Sequence, residues 1–119
     1  MFGRKNYPDY LAIAFGNMAG DVSEGRISEL MMKRGDESEF GLEIVLKKLQ
    51  LVEPARAFNL SRRILKDPNW RILWLDVFGY LATIDSVEVE DIFIQYEIEN
   101  EYDPRDNCRM ITDEYLRNR

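Results

Sequence analysis

Asp67-Pro68-Asn69-Trp70-Arg71-Ile72-Leu73-Trp74-Leu75 is the clearest helix start in the chain. An aspartate before a proline can accept hydrogen bonds from the first free backbone N–H groups. Proline at the first helical position lacks only an N–H that would have no partner there. Apolar residues follow at helical spacing, with Trp70, Trp74, Val77 and Leu81 on one stripe and Ile72, Leu75, Gly79 and Ala82 on another. A helix apolar on most sides reads as a central, buried one. Over residues 68–84 it would span roughly 25 Å, at about 1.5 Å per residue.

The same punctuation recurs on both sides. Asp103-Pro104 repeats the aspartate-proline start, Asp36 with Glu39 and Asp85 with Glu88 have capping-box spacing, Glu53-Pro54 opens another helix, and Ser23 can cap one. Helical periodicity fills the segments between. Ile27, Leu30 and Met31 share a face in 24–33, Leu42, Val45, Leu46 and Leu49 in 37–51, Ala57, Leu60, Ile64 and Leu65 in 54–66, and Cys108, Ile111, Tyr115 and Leu116 in 104–117. Residues 87–99 read two ways. A helix puts Val89, Ile92, Phe93 and Tyr96 together; a strand makes Ile92, Ile94, Tyr96 and Ile98 alternate with Phe93, Gln95 and Glu97. Helix is preferred, because no Gly- or Asn-rich turn follows to return a partner strand. The expectation is an all-α fold in one domain, 1–119.

Asp36, Asp67 and Asp103 lie 31 and 36 residues apart, each between two helical segments, which is the pattern of stacked helical hairpins. The unit from Pro54 to Leu65, through Asp67-Pro68-Asn69-Trp70-Arg71-Ile72 to Leu75, Phe78-Gly79 and Leu81, resembles a HEAT repeat. The second helix of such a repeat opens with Asp-Pro, continues with an apolar-Arg-apolar step and later carries a Leu-Gly-like pair. Asp103-Pro104-Arg105-Asp106 repeats the opening without the later glycine, and Gly41 is out of place in the unit starting at Asp36. The resemblance implies stacked antiparallel helix pairs forming a short HEAT-like α-solenoid. An irregular helical bundle is the alternative reading of the same capped segments.

Composition narrows function. The chain of 119 residues, 45% apolar and 32% charged, has the makeup of a folded globular domain. The Leu11-Ala12-Ile13-Ala14-Phe15 run is shorter than a secretory apolar core, and no stretch approaches the roughly 20 apolar residues of a membrane span, so a cytoplasmic location is expected. Cys108 is the only cysteine, which excludes an internal disulfide or a cysteine metal cluster; its place on an apolar face reads as core filler. No histidine is present, which removes the commonest general base and metal ligand. Gly16, Gly20 and Gly25 fall in no phosphate-cradling frame. No enzyme activity, metal or cofactor is therefore expected.

The net charge of -6 and pI near 4.7 are unevenly distributed. Residues 47–71 hold seven Lys or Arg against Glu53 and Asp67, whereas 72–104 hold nine acids and no base. The basic run Arg56, Arg62, Arg63, Lys66 and Arg71 reads as a solvated helix face, with a local phosphate contact as the alternative; the acidic balance argues against nucleic acid. The acids offer three readings: a solvated face, a carboxylate pair for acid-base or Mg²⁺ chemistry, or a surface for a cationic protein. The candidate partner-binding residues are Asp85, Glu88, Glu90, Asp91, Tyr96, Glu97, Glu99, Glu101, Tyr102 and Asp103. Acids steer the encounter and tyrosines anchor it. In size, charge and helical character the chain is similar to bacterial immunity proteins, which neutralise a cognate toxin domain, often a basic nuclease. That likeness implies an inhibitor of a cationic, nuclease-like toxin. The competing reading is a HEAT-like scaffold holding a peptide or partner helix.

Overall fold

A computed structural model describes residues 21–119, and the chain is all-α: no strand occurs among the described residues. The helices are α1 (Glu24–Lys33), α2 (Asp36–Val52), α3 (Pro54–Leu65), the 3-10 helix η1 (Pro68–Leu73), α4 (Trp74–Leu81), α5 (Val87–Glu99) and α6 (Asn107–Arg117). The Leu11–Phe15 run, Gly16 and Gly20 lie outside the described residues. None of these helices is long and apolar enough to cross a membrane. The chain divides into two compact units, with the boundary inside α3 after Arg63.

In the first unit, Ser23 caps α1 as expected, its hydroxyl accepting from Arg26 N at 3.2 Å. The cap of α2 is Gly35 and not Asp36. The Arg34-Gly35 turn takes positive φ at both residues, 57° and 102°, and only at Gly35 is there no side chain to oppose it. Asp36 falls inside the first turn with Glu37 and Glu39, where carboxylates meet the positive end of the helix dipole. The α2 helix buries Leu42, Ile44, Val45, Leu46 and Leu49, so it is α2 that is apolar on most of its girth. Gly41 has a packing role here: a Cβ on it would lie 2.9 Å from Leu30 Cδ2 of α1. Glu53-Pro54 opens α3 as expected, with Ala57 N bonded to Glu53 O at 3.0 Å. Ala57, Leu60 and Ser61 are buried.

The second unit starts at Ile64. Asp67 caps as predicted, accepting from Asn69 N at 3.0 Å, but the helix it opens is 3-10 and not α. Trp70 leaves helical geometry at φ -104°, ψ 21°, and α-helix resumes only at Trp74. The expected long helix over 68–84 is therefore a kinked pair of short ones. Trp70 and Leu73 of η1 and Trp74, Val77, Phe78 and Leu81 of α4 are buried, while Ile72, Leu75 and Gly79 face solvent. Only the first of its two apolar stripes is core. The indole N–H of Trp74 donates to Ile64 O at 2.9 Å, which satisfies its one polar atom.

An aromatic chain forms the core of this unit. Trp74 and Phe78 of α4 meet Tyr96 of α5 edge-on at 6.3 and 4.8 Å, Phe78 meets Phe93 at 5.3 Å, and Phe93 meets Tyr115 of α6 at 4.9 Å. The last helix starts at Asn107 and not at Pro104. Asp103 makes a tight turn with Arg105, and Asp106 is the cap, accepting from Cys108 N at 2.9 Å and Arg109 N at 3.2 Å. Tyr115 ties α6 to the loop before α5, donating to Ile84 O at 2.7 Å and accepting from Ser86 N at 3.2 Å.

Gly41 and Gly79, each inside a helix, should respond differently to alanine. A Cβ at Gly79 meets nothing within 4 Å, so Gly79→Ala is expected to raise stability by about 0.5–1 kcal/mol through helix propensity alone. Gly41→Ala must displace Leu30 and should give back most or all of that gain. Urea unfolding of both variants compares them; equal shifts would contradict the packing assigned to Gly41.

Candidate protein-binding surface

The α5 helix decides the ambiguity of residues 87–99. Ser86 caps it, accepting from Val89 N at 3.1 Å, one residue beyond the expected cap Asp85. Val89, Phe93 and Tyr96 face the core, and Ile92 is half-buried beside them. The strand-like alternation has a different origin: Val87, Ile94 and Ile98 lie on the opposite face of the same helix, 64%, 40% and 72% exposed. Two apolar faces on one helix blur its periodicity.

The predicted site residues separate into three groups. Tyr96 belongs to the core: it is 7% exposed and its hydroxyl donates to Asp106 Oδ2 at 2.8 Å; burial, then this hydrogen bond, holds the phenol well above its usual range. It is not on the acidic surface. Tyr102, 68% exposed, remains available, with the Arg109 guanidinium 5.5 Å from its ring centre.

A second group of acids is matched by arginines. Arg119 pairs with Asp85 and with Glu90, the latter at 2.5 Å. Glu97 lies 3.4 Å from Arg109 and accepts from Thr112 Oγ1 at 2.6 Å. Asp103 pairs with Arg105 at 3.2 Å, and hydrogen bonds from the Arg105 side chain and backbone hold its carboxyl below the usual range. These arginines lie beyond the acidic run in sequence, and folding α6 against α5 brings Arg109 and Arg119 to it.

Glu88, Asp91, Glu99 and Glu101 form the third group. All are exposed, and none has an ion-pair partner among the described residues. Glu97 and Glu99 in the last turn of α5, where no base is present, oppose the helix dipole. From Ile64 onward the chain has thirteen acids against six bases, so the net negative charge resides in this unit.

Glu97 faces Asp113 across Arg109. Burial, then the adjacent Asp113 carboxyl, pushes Glu97 above its ordinary 4.5, while the hydrogen bond from Glu97 holds Asp113 below its ordinary 3.8. Between 4.5 and its raised value the folded chain binds more protons at Glu97 than the unfolded one does. This site's stabilisation is complete below 4.5 and is lost as pH rises through the folded value. Asp113, lowered first by its hydrogen bond with Glu97, contributes in the opposite sense, its stabilisation being lost as pH falls through its folded value. Glu97→Gln should therefore gain stability relative to the wild type between pH 4.5 and 7, measured by urea midpoints at both. A constant difference between the two proteins would contradict this.

The rest of the surface offers less. Burial, then Asp106, pushes the Cys108 thiol up to about 11, so it is a protonated, poor nucleophile near neutral pH. Much of the basic run is engaged within its own unit. Arg56 donates to Val22 O and pairs with Glu53 at 3.1 Å, Arg63 pairs with Glu24 at 2.9 Å, and Arg71 stacks on Trp74 at 4.9 Å.

Compared with protein-family models, curated proteins and solved structures, the chain matches none.

The exposed apolar residues of α5 are what sequence reasoning missed as functional candidates. Their signal was the Ile94–Ile98 spacing, which a helix places on one side of the cylinder, opposite Phe93 and Tyr96.

Proposed function

We propose that this is a small acidic cytoplasmic binding protein that captures and neutralises a cationic protein, in the manner of an immunity protein inhibiting a nuclease-like toxin. The observation that carries the reading is the solvent face of α5, where Glu88, Asp91 and Glu99, with Glu101 just beyond, are not neutralised by any base among the described residues. Such a face raises the local concentration of a positively charged partner and speeds its encounter. A basic nuclease must present cationic side chains to bind phosphate, so an acidic surface can occupy the place of its substrate. The resemblance to immunity proteins in size, charge and helical character points the same way.

A scaffold reading is favoured by one separate observation, the exposed apolar residues Ile72 and Leu75 of the kinked pair and Met110 of α6. A HEAT-like scaffold using that surface would bind its partner without the acids of α5.

The test uses the tagged chain as bait in its source cell, with retained proteins identified by mass spectrometry. The expected result is a cationic protein held by the wild type and lost when Glu88, Asp91, Glu99 and Glu101 become Gln, Asn, Gln and Gln. A retained partner indifferent to that neutralisation would favour the scaffold. No cationic partner at all would remove the capture reading.

A further inference from the structure

We infer that Val87, Ile94 and Ile98 form a docking strip for a cationic amphipathic helix of the partner protein. This deepens the capture reading and rests on it. The three side chains follow one line along α5, at positions i, i+7 and i+11, which return to the same face of an α-helix. From Val87 to Ile98 the line is roughly 16 Å long, about three helical turns. The core of the unit uses the other side of α5, where Val89, Phe93 and Tyr96 are buried, so nothing in the fold requires isoleucine on the outer face. Serine or glutamine there would be equally compatible with the helix and would not expose apolar surface to water.

Charge selects the occupant. Asp91 lies within the strip and Glu88 and Glu99 border it, none of them paired with a base among the described residues. A second copy of the chain would bring the same acids against these, and an anionic lipid surface would be repelled in the same way. A helix with leucine-like residues on one face and Lys or Arg along its margins satisfies both requirements. Its apolar face covers the isoleucines and its cations meet the acids. The acids set the rate of encounter, and the apolar strip sets the lifetime of the complex.

The probe is a synthetic helix of about fourteen residues with leucine on one face and lysine on the other, compared with a scramble of the same composition that forms no face. Binding to the intact chain is read by fluorescence anisotropy. The wild type should bind the facial peptide roughly tenfold or more tighter than the scramble. Ile94→Ser with Ile98→Ser should remove that preference and leave a weaker, salt-sensitive binding of both peptides. Circular dichroism checks that the double variant, altered only at exposed positions, retains its helices.

Equal binding of the two peptides by the wild type, or an undiminished preference in the serine variant, overturns the docking strip. If those same peptides lose affinity when the four acids are neutralised, capture by charge stands without the strip. If neutralisation changes nothing, the capture reading fails as well. Sedimentation of the wild type adds a further check: a dimer abolished by the serine changes would assign the strip to a second copy and overturn the inference.

Discussion

Phe93→Ala is expected to lower the unfolding free energy by about 3–5 kcal/mol, measured by urea denaturation. Phe93 is fully buried and sits between Phe78 of α4 and Tyr115 of α6, at 5.3 and 4.9 Å. Truncation loses the transfer free energy of the ring and leaves a cavity. Three helices meet at this ring, which limits how far the site can collapse. The edge-on contacts add to the loss, each aromatic pair being worth about 0.5–1.5 kcal/mol beyond area burial. Against a typical total of about 5–15 kcal/mol, this is a large fraction of the stability of a small fold. The effect should extend to α6 and the two residues after it, where Arg109 and Arg119 reach Glu97, Glu90 and Asp85. A loss under about 1 kcal/mol would mean that the aromatic chain does not hold these helices together.

Charge reversal of Glu99 and Glu101 should separate function from stability. Glu99 lies in the last turn of α5, where a carboxylate meets the negative end of the helix dipole. Its side chain accepts a hydrogen bond from Gln95 Nε2 at 2.9 Å and has no ion-pair partner among the described residues. Glu99→Lys with Glu101→Lys should leave the unfolding free energy unchanged or raise it by about 0.3–1 kcal/mol. The same change should slow association with a cationic partner by about tenfold or more, because it removes four units of charge difference from the docking face. A thermal or urea midpoint that falls while binding is retained would show that these acids serve the fold and not a partner.

The helices were legible in sequence because their core faces obey one period. Val89, Phe93 and Tyr96 in α5, and Trp70, Trp74, Val77 and Leu81 across η1 and α4, are buried as spacing alone predicts. Caps were legible only to within a residue or a turn. Asp85-Ser86 and Gly35-Asp36 each offer two plausible caps side by side, and backbone geometry that sequence does not display chooses between them. Asp103 and Asp106 compete in the same way, and the one that also reaches the Tyr96 hydroxyl is the cap. The 3-10 geometry of Pro68–Leu73 was hidden because i+3 and i+4 spacings coexist in that segment, so its second apolar stripe looked as buried as its first.

The acidic surface was legible as a run but not as a pattern. Arg119 meets Asp85 and Glu90 across 34 and 29 residues of chain, and no local rule anticipates such pairs. Folding thus divides eight adjacent acids into those matched by arginine and those left facing water. Tyr96 and Tyr102, equivalent by composition, are divided in the same way, the first into the aromatic core and the second onto the surface.

Capture of a cationic protein by the unmatched acids of α5 is tested most directly by the association rate of the retained partner, followed by stopped flow from low to high salt. Association should be fast in the wild type and fall steeply as ionic strength rises, and be slower and nearly salt-independent when Glu88, Asp91, Glu99 and Glu101 are neutralised. The same rate and the same salt dependence in both proteins would contradict it.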